Sequence, residues 1–323
     1  MSLLRLFSTA LLALAVGMAV MLLVKSNTLL SLFTQALIYA LFASGIGLLL
    51  RQNGMVSFGH ALYFGGASYL VGILLQLQWT SPEWAIGVAL LAITVCAFLI
   101  GLVIVRVPGI AFGMLTLAIG QMFYLTASRA RGLTGGADGM NIDWGNALWG
   151  VPISALLKPA MLFGVTWSTL VLVLLLLALL LRTRFGAITE AVRDNEERAR
   201  FIGLTTLWPR ATVYALSALV TGVAGVLSAL NTGFVSPESL HWSVSGVTLM
   251  MVVVGGFQTL WGPALGAVVY FLFKDLLGEH ATHWMTIFGV ALITVIVFSP
   301  SGLAGALQRL GRGSVPRARA AGH

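Results

Sequence analysis

Charged side chains that could do chemistry are concentrated in one stretch of this chain, residues 182–210. The stretch holds six arginines and four acids: Arg182, Arg184, Arg193, Arg198, Arg200 and Arg210, with Glu190, Asp194, Glu196 and Glu197. On a helix, an acid three or four residues before an arginine can pair with it. Three pairs have that spacing: Glu190 with Arg193, Asp194 with Arg198, and Glu196 with Arg200. Because these acids are already placed for arginines, they are unsuited to catalysis and favour a surface helix.

The other face of this predicted helix is apolar or small at helical spacing: Ile188, Ala191, Val192, Asn195, Ala199 and Ile202. Gly203 is a plausible stop signal. The charged helix, 186–203, therefore lies between two uncharged runs, 161–181 and 211–231. A soluble amphipathic helix between membrane spans is a surface for a cytoplasmic partner. Its candidate contact residues are Ile188, Glu190, Ala191, Arg193, Asp194, Asn195, Glu196, Arg198 and Ala199.

A second set of candidates consists of polar residues in or near apolar runs: Ser57, His60, Thr116, Gln121 and Asn231. An ionisable residue within a membrane span is a functional candidate by default. His60 lies among glycines near a span end, which favours a hydrogen-bonded structural histidine over a pathway residue. Uncharged polar groups in spans mostly bond to neighbouring helices, so lining of a transport pathway is the alternative for the others.

Several kinds of site are excluded by the pattern. Each of the three lysines follows a residue other than glycine, so the chain has no phosphate-binding loop for ATP. His280 and His283, with Glu279 beside them, have the i, i+3 spacing that a metal could use, but the further ligands that would complete a site are missing nearby, and we expect no metal. Nothing resembles a Ser-His-Asp triad, and Cys96 is the only cysteine. We expect neither an enzyme nor a bound cofactor.

Composition places the chain in a membrane. It is 59% hydrophobic and 9% charged, whereas a soluble domain carries about 25% charged residues. The net charge of +8 lies mostly in loops between spans, as the positive-inside rule predicts, and does not indicate nucleic-acid binding. No acid or arginine lies inside a span to relay ions, so coupling through the charged helix to a separate motor is the economical interpretation.

Ten membrane spans are predicted, some of them short or broken, in an all-α polytopic protein. The first, 6–24, is longer than the apolar part of a signal peptide, although a cleaved signal is the alternative. The uncharged run 242–273 decides the count, because one helix of that length would be about 48 Å long against a hydrocarbon core of about 30 Å. Two short spans turning at 258–261 place both termini in the cytoplasm. One permease domain then covers 1–305, followed by a basic tail, 306–323.

Four groups of residues resemble the permease subunits of branched-chain amino acid ABC importers, of the LivM-like type. They read SFGHALYFGGASYL at 57–70, TGGADGM at 134–140, FGAITEAVRDNEERARFIG at 185–203, and GFVSPESL at 233–240 followed by VVVGGFQTLWGPALGA at 252–267. The resemblance covers roughly residues 30–300. Several motifs in the same order make it specific to the family but less so to the substrate.

The resemblance implies a type II-like importer architecture in the bacterial inner membrane. The partners it implies are a homologous LivH-like permease, two ABC ATPases, a periplasmic substrate-binding protein, a small amino-acid substrate and membrane lipid. Residues 186–203 would be the coupling helix that docks on an ATPase. The helix departs from the loop of other importers, because the glycine expected soon after Glu190 and Ala191 is missing. The glycine-rich loop with Arg129, Arg131 and Asp138 would face the binding protein.

Three alternatives remain open at this point. A permease for urea, short-chain amides or other small amino acids would share the same motifs. A secondary transporter would work without an ATPase. A multispan membrane enzyme would need acids or histidines clustered at one membrane face.

Overall fold

The computed structural model describes residues 3–78, 80–107, 109–278, 284–299 and 301–311. The helices in this part of the chain are α1 Leu3–Leu23, α2 Asn27–Asn53, α3 Ala61–Gln76, α4 Pro82–Ile104, α5 Ile110–Arg129, α6 Arg131–Thr134, α7 Ile153–Leu156, α8 Pro159–Leu180, α9 Arg184–Asp194, α10 Glu196–Phe201, α11 Leu207–Thr232, α12 Trp242–Gly255, α13 Gly262–Gly278, α14 Trp284–Phe298 and α15 Gly302–Gly311. The short strands are β1 Met140–Asn141, β2 Ala147–Leu148, β3 Val151–Pro152 and β4 Phe234–Val235. The protein is an all-α bundle, as predicted.

Each of the ten predicted spans corresponds to one apolar helix. Among the described residues, six helices are long and apolar enough to cross a membrane: α1, α2, α4, α5, α8 and α11. The others, α3, α12, α13 and α14, are shorter. The protein is therefore a multi-pass membrane protein. The side of the membrane on which each terminus lies stays a prediction.

A non-helical stretch separates the second span from the third. α2 ends at Asn53, and α3 begins only at Ala61. Gly54 ends α2 in the left-handed conformation, with φ at 67°, and residues 54–60 then run without regular helix. A left-handed residue at this position is a common way to end a helix, and glycine adopts it without steric cost.

The long uncharged run divides into two helices, and this prediction is confirmed. α12 ends at Gly255 and α13 begins at Gly262, so the turn occupies 256–261. A Cβ on Gly266 would overlap the carbonyl oxygen of Met251, so the two helices approach more closely than any other residue would allow. α15 packs against both helices near this turn, with Gly302 against Gly256.

The two most deeply buried membrane helices, α2 and α11, pack against each other at the centre. α3 and α4 pack against α11, whereas α12 and α13 pack against α2. α1 lies at the outside on α8, where Trp167 Nε1 donates to the carbonyl oxygen of Ala13 (2.9 Å). Large apolar side chains are exposed on the outer helices, as expected for a surface that faces lipid.

The loop after α5 folds back onto the bundle. β1 pairs antiparallel with β4, with Met140 opposite Val235, and β2 pairs with β3 in a short hairpin. The hydroxyl of Thr134 donates to the carbonyl oxygen of Ala127 (2.6 Å) and holds the start of the loop against α5. The predicted division into a domain over 1–305 and a tail over 306–323 stays a prediction. Residues 312–323 lie outside the described residues, as do Glu279, His280 and His283.

Candidate functional site

The charged stretch forms two helices instead of the one predicted over 186–203. We call residues 184–206, which contain α9, α10 and the turn to α11, the charged segment. The break falls at Asn195, whose backbone is extended and whose side chain accepts from the backbone N–H of Arg198 (2.8 Å). Asparagine is among the preferred residues for capping a helix N-terminus, so it starts α10 and interrupts the longer helix. Gly203, with φ at 84°, follows α10 as predicted.

Two of the three predicted ion pairs form. Glu190 pairs with Arg193 (3.7 Å) and Glu196 with Arg200 (2.6 Å). Among the described residues, the carboxylate of Asp194 pairs with Arg193 (2.6 Å) and not with Arg198. Asn195 has an extended backbone directly after Asp194, so the helical spacing from Asp194 to Arg198 no longer applies.

The predicted apolar face is only partly buried. Val192 and Ala199 are buried, whereas Ala191 and Ile202 are exposed and Ile188 is half-buried. The break at Asn195 again explains the difference, because one helical period does not continue through a residue with an extended backbone. Thr189 is also buried in this face, and the apolar pattern did not include it.

Side chains connect the charged segment to the end of α2. The Thr189 hydroxyl donates to Gln52 Oε1 (2.7 Å), and both residues are buried. Arg193 Nη1 donates to the carbonyl oxygen of Arg51 (2.6 Å). Asn53 Nδ2 donates to the carbonyl oxygen of Arg210, in the first turns of α11 (3.0 Å). The end of α2 is thereby bonded to both α9 and α11.

Glu196 connects the segment to α11. Its carboxylate pairs with Arg210, whose side chain is only 11% exposed, and accepts from Arg200 (2.6 Å) and the Thr206 hydroxyl (3.0 Å). Partial burial opposes ionisation, but Arg210, Thr206 and Arg200 outweigh it, and the pKa of the Glu196 carboxyl lies below its ordinary value. The acid is therefore ionised at neutral pH and holds α10 against α11.

Apolar side chains project from the same segment. Phe201 is 91% exposed and Ile202 70% exposed, and Trp208 in the first turn of α11 is 57% exposed. Exposed apolar side chains of this kind can contact a protein partner or lipid, and Trp208 also packs against Phe98 of α4, with 5.9 Å between the ring centroids. We call these three residues the apolar tip.

Ser57, His60 and Thr116, three of the predicted pathway residues, lie in the packed interior. His60 Nδ1 lies 2.8 Å from the Ser57 hydroxyl, and Nε2 lies 2.7 Å from the Ser217 hydroxyl. Ser217 donates its one hydrogen to the carbonyl oxygen of Gly45 (2.6 Å). Nε2 must therefore carry the ring hydrogen and donate to Ser217, while Nδ1 accepts from Ser57. This network connects α2, the segment 54–60 and α11.

Thr116 connects the same segment to α5. Its hydroxyl accepts from the backbone N–H of Phe58 (3.2 Å) and donates to the carbonyl oxygen of Gly113 (2.8 Å). A Cβ on Gly59 would overlap the carbonyl oxygen of Thr116, so this crossing requires glycine. The three predicted pathway residues therefore hold residues 54–60 in place between helices.

Replacing Ser217 by alanine should lower the free energy of unfolding by about 1–3 kcal/mol, because the Nε2–H of buried His60 loses its acceptor. The thermal midpoint of the protein in detergent measures this. Ser44→Ala is the matched control, since the Ser44 hydroxyl donates only within its own helix, to the carbonyl oxygen of Ala40 (2.7 Å). Equal midpoints for the two variants would contradict a role for the network in joining the helices.

The other two predicted pathway residues occupy different environments. Asn231 lines a small cavity of about 230 Å³ between the starts of α2 and α8 and the end of α11. Gln121 is half-buried in α5, and its Oε1 has no hydrogen-bond partner among the described residues. The structure thus disperses the five residues over three places.

A larger cavity, which the candidate residues did not predict, lies at the end of the bundle away from the charged segment. It measures about 580 Å³ and opens where α5 and α11 end and α12 begins. Serine hydroxyls form much of its lining: Ser68, Ser228, Ser236, Ser239 and Ser243. Tyr39, Phe64 and Tyr124 add aromatic surface, and Glu238 and His241 add two titratable groups. We call this the hydroxyl-lined cavity. The polar sequence GFVSPESL, at 233–240, supplies five of the lining residues and could have indicated the cavity from the sequence.

The predicted partner-binding loop lies at the same end. Arg129, Arg131 and Asp138 are all exposed, and β1 pairs with β4, whose two residues line the cavity. The loop therefore forms part of the surface around the cavity.

Comparisons with known proteins match this chain to membrane transport permeases. A family model described as branched-chain amino acid transport system / permease component matches residues 28–298. The chain is 26% identical over 319 residues to the high-affinity branched-chain amino acid transport system permease protein LivM of Escherichia coli (strain K12), covering 93% of this chain and 74% of the relative. It is 24% identical over 296 residues to a probable branched-chain amino acid transport permease protein LivM of Methanocaldococcus jannaschii, covering 84% of each.

A relative named for a different substrate also matches. It is the autoinducer 2 import system permease protein LsrC of Salmonella paratyphi B, 28% identical over 301 residues, covering 88% of this chain and 81% of the relative. No solved structure gives a significant match.

Proposed function

Because the chain belongs to the family of branched-chain amino acid transport system permease components, we propose that it is the permease subunit of an ATP-driven importer for branched-chain amino acids. It would act in the bacterial inner membrane with a homologous LivH-like permease, two ABC ATPases and a periplasmic binding protein. The subunit itself would hydrolyse nothing.

One observation carries this proposal: side chains join the charged segment to both central helices. Thr189 and Arg193 bond to the end of α2, and Glu196 bonds to the start of α11. A displacement of the segment therefore acts on α2 and α11 together. These helices also supply Tyr39 and Ser228 to the hydroxyl-lined cavity at the other end. The segment would be the coupling element, and it would lie in the cytoplasm together with both termini.

In this mechanism, ATP binding draws the two motors together and moves both coupling elements. The central helices then tilt between a state open to the outside and a state open to the inside. Glycines bring α12 into close contact with α13, and α3 into close contact with α11. Each of these helix pairs would therefore move as one rigid unit. The binding protein would dock on the far end, where Arg129 and Arg131 can meet acidic side chains.

Replacing Phe201 by alanine should weaken binding of the ATPases by about 30-fold, as expected when an aromatic anchor worth about 2 kcal/mol is lost from an interface. The apolar tip would fill a cleft on the motor, and Phe201 is its most exposed side chain. The measurement is the dissociation constant between the reconstituted permease and the purified ATPase. Phe7→Ala is the matched control, because Phe7 is half-exposed and belongs to α1 instead of the charged segment. Equal affinity for the Phe201 variant and the wild type would remove the docking assignment.

The transport function is tested by reconstitution of the full complex. Uptake of leucine into proteoliposomes should require ATP, both ATPases and the binding protein. Uptake by the permeases alone would favour a secondary transporter instead. Competition with valine, isoleucine, urea and a short-chain amide assigns the substrate class.

A further inference from the structure

The hydroxyl-lined cavity has one negative charge in its lining and no positive one. Its fifteen lining residues include Glu238 but neither lysine nor arginine. Glu238 is exposed and lies in the short 3-10 helix Pro237–Leu240, between the end of α11 and the start of α12. A concave site lined by one sign of charge raises the local concentration of the opposite charge. The lining therefore favours a cationic group, and the exposed Arg129 and Arg131 belong to the surrounding loop and not to the lining.

The remaining surface is suited to the other parts of an amino acid. The Ser228 hydroxyl can donate a hydrogen bond to a carboxylate. The hydroxyls of Ser239 and Ser243 already donate to the Ser236 carbonyl oxygen and to His241 Nδ1, and so present their oxygens as acceptors, which suits an ammonium group. Tyr39 in α2 and Phe64 in α3, whose ring centroids are 5.9 Å apart, offer surface for an apolar side chain. A volume of about 580 Å³ lies within the range of small-molecule sites, about 300–1,000 Å³.

We propose that this cavity is a substrate site in the permease, in which the Glu238 carboxylate binds the ammonium group of the incoming amino acid. The proposal rests on the proposed transport function and adds a selection step within this chain. The cavity would admit α-amino acids with small apolar side chains and disfavour solutes that carry the carboxylate without the ammonium group.

Two features link the site to transport. Ser68 belongs to α3 and donates to the carbonyl oxygen of Gly225 in α11 (2.8 Å), so the cavity wall includes a bonded crossing of two helices. α11 also begins at the charged segment, where Arg210 pairs with Glu196. Movement of α11 would therefore change the distance between Ser228 and Glu238, which lies beyond the end of that helix.

The test uses the assembled transporter with Thr232→Cys as a reporter in a Cys96→Ala background, because Thr232 is an exposed lining residue without an assigned contact to the amino acid and Cys96 is the one native cysteine. The rates of thiol modification by aminoethyl methanethiosulfonate and by the anionic sulfonatoethyl reagent are compared. We expect Glu238→Gln to lower the ratio of cationic to anionic rates about tenfold. Glu238→Asp, which keeps the charge, should preserve the ratio. Glu83→Gln is the matched control, since Glu83 accepts from the Trp149 backbone N–H (2.9 Å) and does not line the cavity.

A protection measurement addresses recognition of the ammonium group. Leucine should slow modification of the reporter, whereas ketoisocaproate, the keto acid with the same side chain, should not. Equal protection by both compounds, or an unchanged ratio in Glu238→Gln, would overturn the proposal. ATP-dependent uptake is measured separately on the same preparations. In the reporter protein with Glu238 intact, protection without uptake would reject the proposed function but support the site. Uptake without protection would reject the site alone.

Discussion

Replacing Glu196 by glutamine should reduce ATP-driven uptake at least tenfold while leaving the membrane bundle folded. The carboxylate is the common partner of Arg200, Arg210 and Thr206, and the Arg210 side chain is largely buried. Removing the charge leaves that guanidinium without its counter-ion, at a cost of about 1–3 kcal/mol. Because Glu196 is itself 29% exposed, solvent screening places the cost toward the lower part of that range. A segment no longer fixed to α11 cannot pass displacement to it.

The measurements for this prediction are uptake into proteoliposomes and the rate of tryptic cleavage within the charged segment. Glu197→Gln is the matched control, because the neighbouring acid is exposed and forms no ion pair among the described residues. We expect uptake by the control to stay within twofold of the wild type. Equal uptake by the two variants would show that the contact between α10 and α11 is not part of the coupling path.

Replacing Gly225 by alanine should destabilise the protein by about 3 kcal/mol or more, at the upper end of the range for overpacked cores. A Cβ at this position would overlap the carbonyl oxygen of Phe64, so α3 and α11 would have to separate. Backbone atoms cannot rotate away as a side chain can. The separation would also break the bond from Ser68 to the Gly225 carbonyl oxygen and distort the cavity wall.

Thermal unfolding in detergent and recovery of the assembled complex measure this effect. Gly222→Ala, one turn earlier on the same helix, is the control. Its Cβ would lie 3.3 Å from a Leu90 methyl group and farther from Ala67 and Ile93, which can adjust. The control should change stability little, because the crowding against Leu90 is offset by the higher helix propensity of alanine, which is about 1 kcal/mol more favourable than that of glycine. A Gly225 variant as stable as this control would contradict the close crossing.

The family and the class of protein follow from the sequence because both depend on local patterns. Apolar runs of bilayer length predict helices wherever they occur, and the division of 242–273 follows from the length of one run and its glycines. The match of the permease family model over 28–298 confirms the resemblance drawn from motifs such as SFGHALYFGGASYL. The position of the charged segment between two spans follows in the same way.

The sequence interpretation was wrong about the charged helix, because it did not predict the break at Asn195. The helix predicted over 186–203 ends at Asp194 because Asn195 caps a second helix. The predicted pairing of Asp194 with Arg198 was lost with it. Asparagine both occurs within helices and caps them, and the choice between these roles depends on contacts of the flanking residues with α2 and α11.

The amino-acid sequence by itself determined that the chain is a multi-pass helical permease with one charged element between its spans. Only the tertiary structure decided what that element bonds to and where a solute could sit. Gln52 and Thr189, which share a hydrogen bond, are 137 positions apart in the sequence. His60 and Ser217, which share another, are 157 positions apart. Hydropathy and helical period carry no information on such pairs, because these contacts arise from the packing of helices against one another.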